Sequence, residues 1–139
     1  MLNYSRTRVA IMLMLMTGAV ALATQTLLIA QLPAVQRKVL LQQDLTIPGY
    51  QAVLVSVEIP VGGREGRHTH PGSVLVHVEE GALTLDYQGK PTVTYKVGES
   101  FYVEPGKIHE GINRGNTPIK AIATFIVEKG KPLTTQEQK

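Results

Sequence analysis

Three of the four histidines stand where they can do chemistry together. His68 and His70 follow a glycine-rich loop, Gly62-Gly63-Arg64-Glu65-Gly66, and are separated by one residue. In an extended chain, residues i and i+2 point to the same face. Both imidazoles therefore converge on one point. His109 comes about forty residues later, just after a Pro105-Gly106 corner. A third imidazole arriving from a different strand is what closes a metal site inside a sheet structure. Neutral imidazole suits zinc, copper, iron and nickel, and three histidines with an open position form a known catalytic zinc arrangement. The fourth histidine, His77, lies on the opposite strand face from Val74 and Val76 and is expected to point away from the site.

The elements that must carry these residues read as strands. Residues 51–59 (QAVLVSVEI) alternate, with Val53, Val55, Val57 and Ile59 on one face, and Pro60 stops them. Further β runs cover 73–79, 82–87, 92–97, 100–103 and 119–127. Gly81, Gln88-Gly89-Lys90-Pro91, Gly98-Glu99 and Pro105-Gly106 mark turns between them. Short strands with turn signals every 8–12 residues or so describe an all-β sandwich or barrel. Residues 31–48 read as a lead-in with a short apolar stretch at Val39-Leu40-Leu41, and the polar tail 129–139 is expected to fray.

In this arrangement the chain resembles the cupin superfamily, whose first motif is G-x5-H-x-H-x3-4-E-x6-G and whose second is G-x5-P-x-G-x2-H-x3-N. The first is matched by Gly62, His68, His70 and Gly81. The second is matched by Gly98, Gly106, His109 and Asn113. The resemblance implies a double-stranded β-helix, the jelly-roll barrel, with a core over about 50–128 and a domain over 31–139. It also implies a divalent transition metal (zinc, iron, copper, nickel or manganese) held by His68, His70 and His109, and a homodimer paired through outer strands, for which 31–48 is available.

Two positions depart from the family pattern. The motif-one glutamate falls at Val74 (or Leu75 in the longer spacing), and the first motif-two proline is Glu104. Without the glutamate, three neutral imidazoles leave an M²⁺ ion its full double charge. Such a site should bind oxygen-seeking Mn²⁺ less well, prefer imidazole-friendly ions, and welcome an anion. Glu104 is a candidate substitute ligand. Glu110, next to His109, should point the other way, and the plain reading of both carboxylates is solvated. The motif glycines read as turn residues and Asn113 as a turn or supporting residue. Tyr87, Phe101 and Tyr102 read as core or pocket wall.

Composition narrows the classes further. Hydrophobic residues make up 43% and charged residues 18%, a globular balance; with five Tyr, two Phe and no Trp, aliphatic side chains must fill the core. There is no cysteine, which excludes disulfides, thiolate ligands and a cysteine nucleophile. The formal charge of +3 includes Arg6 and Arg8 at the N-terminus; without them it is about +1. No basic stripe suggests nucleic-acid binding. Those arginines, the apolar run 9–22 and the small residues Ala19, Ala21 and Ala23 describe a secretory signal peptide, with cleavage near Ala23 or Ala30. Residues 9–30 would alternatively serve as an uncleaved inner-membrane anchor. In both cases the folded domain is expected outside the cytoplasm, in the periplasm or beyond.

Three functions stay open on these grounds. One is a metal-dependent enzyme on a small molecule, with dioxygenase-like or Lewis-acid chemistry. Another is a non-catalytic module that binds a metal or small molecule. The last is a structural barrel with a vestigial site, for which Val74 speaks.

Overall fold

The computed structural model describes residues 34–137; the N-terminal segment read as a signal peptide or anchor lies outside them. Ten strands are present: β1 Gln36–Asp44, β2 Tyr50–Ile59, β3 His68–Thr69, β4 Ser73–Glu80, β5 Ala82–Tyr87, β6 Val93–Lys96, β7 Ser100–Val103, β8 His109–Ile112, β9 Ile119–Glu128 and β10 Thr135–Gln136. They form two five-stranded sheets, ordered β1-β2-β9-β4-β7 and β10-β3-β8-β5-β6. Every paired neighbour runs antiparallel. This is the jelly-roll barrel, a double-stranded β-helix. Among the described residues no helix is long and apolar enough to cross a membrane.

The core follows from alternation on β2 and β9. Along β2 every second side chain from Gln51 to Ile59 is buried, and along β9 every second one from Ile119 to Val127. The register sets Val53 beside Phe125, Val55 beside Ala123, Val57 beside Ala121 and Ile59 beside Ile119. Val74, Val78, Leu83, Leu85, Tyr87 and Val103 complete the interior. Each fully buried aliphatic or aromatic side chain contributes about 1.5–3 kcal/mol relative to exposure. Small residues at 121 and 123 leave the space into which the histidines project.

Two segments depart from the expectations above. The lead-in contains a nine-residue edge strand, β1, exposed along its whole length. Its three consecutive apolar residues hid the strand because the pairing with β2 slips between Val39 and Leu41. The extra residue, Leu40, turns Val39 and Leu41 to opposite faces, which erases the period of two. The tail does not fray over 131–137. Leu133 packs against the core, and β10 pairs with β3 through Thr135–Thr69 and Gln136–His68. Of the two short strands that carry histidines, β3 has only two residues and β8 is buried at every position, so neither shows an alternating pattern.

Candidate metal centre

The sheet register delivers the histidines to one place. His68 on β3 is paired directly with His109 on β8, and His109 with Tyr87 on β5. His70 follows β3, where its carbonyl accepts a 2.8 Å hydrogen bond from the Gly106 amide, so the corner before His109 is tied to the segment carrying the other two. One ring nitrogen from each of His68, His70 and His109 lies within 4.8 Å of the others, and all three residues are buried. Ring centroids are 4.3 to 4.8 Å apart.

The tautomers follow from the backbone. His68 Nδ1 is 2.7 Å from Gly66 O, His70 Nδ1 is 2.7 Å from Leu133 O, and His109 Nδ1 is 2.9 Å from Lys107 O. A carbonyl oxygen only accepts, so each Nδ1 is the donor and carries the proton. The lone pair of every ring then sits on Nε2, the nitrogen left to face its neighbours. Orienting bonds of this kind fix both ring angle and tautomer in metal sites. Burial also disfavours a charged ring. It is the main cause that lowers His70 to about 3, against the bond to Leu133 and with help from the neighbouring His68, His109 and Arg37. It likewise lowers His109 to about 4, against the bond to Lys107. At neutral pH both are unprotonated ligands in waiting.

Supporting contacts hold the carbonyls that hold the rings. Gly66, whose carbonyl orients His68, has φ of 78°, a conformation that glycine tolerates and other residues resist. Its amide donates to Glu110 Oε1 at 3.0 Å. Glu110 points away from the histidines, as strand parity requires, yet it is buried and not solvated. Arg64 grips it with Nε at 2.7 Å from Oε1 and Nη2 on Oε2. The Arg64 guanidinium holds this carboxyl below the usual carboxylate range. Glu104 does not join the cluster: its carboxylate meets Lys90 at 2.8 Å on the surface. His77 faces solvent with Nδ1 2.9 Å from Ser100 Oγ. Asn113 is a turn brace, donating to Ile59 O and Thr117 O and accepting from the Gly115 amide.

The cluster opens on a small cavity of about 40 Å³. Val74 lines it and is fully buried, so an apolar wall stands where the family pattern has a carboxylate. Phe125 sets its edge against His70, with centroids 5.1 Å apart. Two charged residues line the same cavity, and neither belongs to the histidine motifs. Arg37 comes from the inward face of β1, opposite Val57, and Glu65 from the glycine loop; Arg37 Nη2 lies 2.8 Å from Glu65 Oε1. Gly111 makes room for Glu65, since a β-carbon there would stand 2.5 Å from Glu65 Oε2.

The family model for the cupin domain matches residues 55–133, more than half of the chain. The chain belongs to the cupin domain family. A germin-like protein, subfamily 2 member 2, of Arabidopsis thaliana is 32% identical to this cupin over 87 residues, which span 57% of the chain and 40% of that protein's length. Among solved structures, a double-stranded β-helix protein of Klebsiella pneumoniae aligns with TM-score 0.63 and 18% identity, over 78% of this chain and 89% of its own. A cupin-like protein of Thermotoga maritima aligns with TM-score 0.62 and 20% identity, over 76% and 77%. At such identities the structural likeness speaks for the fold alone. The three clustered histidines are a group that could hold a divalent metal.

Proposed function

We propose that this chain is a metal-dependent cupin enzyme acting on a small anionic molecule, with His68, His70 and His109 as the ligands of a divalent transition metal. One observation carries the reading: every Nδ1 donates to a backbone carbonyl, which leaves three Nε2 lone pairs converging on one cavity. A structural barrel with no use for the site has no need to bury three mutually repelling lone pairs there. The metal would supply Lewis-acid or redox chemistry. The chain supplies neutral ligands and an apolar wall at Val74, Val76, Leu85, Val103 and Phe125. With no carboxylate ligand at position 74, the site keeps the ion's double charge and favours an anion.

The small volume and the scarcity of ionisable side chains favour a second reading, a binding module without turnover. Metal analysis tests both against a vestigial site. The full chain, purified without a polyhistidine tag, is expected to carry near-stoichiometric zinc, iron, copper or nickel, and His109→Ala none. Absence of metal from both proteins, even after each ion is added back, overturns the metal reading. Metal-dependent loss of a small carboxylate then separates the enzyme from the module.

Two further parts of the reading concern the cell. Export rests on the N-terminal pattern of 1–30, and N-terminal sequencing of the protein recovered from the periplasm tests it. Self-pairing rests on the outward face of the first sheet, where Leu41, Leu54, Thr124, Leu75 and Tyr102 form one cross-strand row without a charge. An antiparallel sheet with a solvated outer face alternates apolar and polar residues, and a two-fold axis would lay this row on its copy. Sedimentation of Leu75→Glu as a monomer, against a wild-type dimer, is the expected result.

A further inference from the structure

We infer that Arg37 is the anion-recognition group of the cavity and that Glu65 is its resting counter-ion, displaced when a small carboxylate enters. Among the described residues lining the cavity, these are the two with a full charge. Neither belongs to the histidine motifs, and they come from different parts of the chain: Arg37 from the edge strand, Glu65 from the glycine loop 28 positions on.

Their geometry is that of a pair made to exchange. Arg37 reaches Glu65 through a single short contact, Nη2 to Oε1 at 2.8 Å, and not through the two-pronged bond that a guanidinium makes with a carboxylate it holds permanently. The contrast stands a few residues away, where Arg64 grips buried Glu110 with two nitrogens. The remaining donors of Arg37 have no side-chain carboxylate within reach among the described residues. The pair is also partly open, with the Arg37 side chain 39% exposed and that of Glu65 14% exposed. Ion pairs in such settings are weak because solvent screens them. An incoming carboxylate can offer Arg37 two oxygens where Glu65 offers one.

Glu65 has somewhere to stay. Its backbone amide donates to Gly111 O at 3.0 Å, which pins the residue beside β8 whatever its side chain does. Its second oxygen lies over Gly111, in space that any larger residue would fill. Arg37 in turn stands on a strand held from one side only, by β2, so its side chain can re-aim without disturbing the barrel.

The inference rests on the reading of this cavity as one that accepts anions, and its test separates the two. Malonate is titrated into the full chain at constant ionic strength, metal-free and loaded with Co²⁺, with melting temperature and the cobalt visible spectrum as readouts. Wild type, Arg37→Gln, Arg37→Lys and Glu65→Gln are compared. Cobalt should still bind in all four. Malonate affinity should fall at least 10-fold in Arg37→Gln, fall less in Arg37→Lys, and rise severalfold in Glu65→Gln, because the competitor for Arg37 is gone. The opposite signs of the two neutralising variants are the signature. Equal malonate affinity in wild type and Arg37→Gln overturns the inference, and so does a loss in Glu65→Gln matching that of Arg37→Gln. If cobalt fails to bind while malonate still stabilises the metal-free chain through Arg37, the metal reading falls and the anion site stands.

Discussion

One cavity is lined by two kinds of polar group built on opposite principles. The histidines are buried and each is fixed by a backbone carbonyl from a loop segment next to a strand. Arg37 and Glu65 are held mainly by each other, at the open edge of the barrel. The difference teaches what each part is suited to. Ligands for a metal must not reorganise when it arrives, so their supports come from the backbone. A group that recognises a passing ligand must be able to let go of its partner, so it is held side chain to side chain.

The comparison breaks most visibly if a locked residue proves dispensable. His109→Ala should abolish metal retention outright, by mass spectrometry of the purified chain. Next in size is Val74→Glu, which restores the carboxylate of the family pattern. Burying an unpaired carboxyl against Val103 and Phe125 should lower the metal-free stability by several kcal/mol in urea unfolding. Added Mn²⁺ should recover much of that loss in the variant and little in wild type. Equal Mn²⁺ responses would sink the charge argument made for position 74.

A third test uses pH. His70 and His109 titrate at about 3 and about 4 when folded, against roughly 6.5 in an unfolded chain. Between those values the unfolded chain binds protons that the native one does not, so stability falls as pH drops below 6.5 and levels off near 3. Above 6.5 these two groups contribute no slope. The clamp on the locked group is tested by ending the chain after Gly130, which removes the Leu133 carbonyl from His70. Metal affinity should fall about 10–100-fold, measured by competition with a chelator. The smallest effect belongs to the adjustable pair: Arg37→Gln should cost about 0–1 kcal/mol of stability, within a fraction of the Val74→Glu effect in the same assay.

How legible all this was depends on where each signal is stored. The strands of the core showed because β2 and β9 alternate over ten residues each, and burial on one face imposes that period. β1 did not show, because its bulge reverses the alternation at Leu40 and its stability comes from pairing with β2 rather than from its own pattern. β3, at two residues, is too short to carry a period, and β8 is buried at every position and so shows no alternation.

The site divides in the same way. The sequence by itself determined the three histidines, the turn glycines between them and the missing carboxylate at Val74, because these are matters of residue type at fixed local spacing. Only the tertiary structure decided that a C-terminal carbonyl at Leu133 orients His70 across 63 positions, that Glu110 is locked inward by Arg64, and that Arg37 and Glu65 share the cavity. Each of these joins residues whose separation along the chain is arbitrary. Their partnership is created by strand order and register, and no local pattern of residue types encodes it.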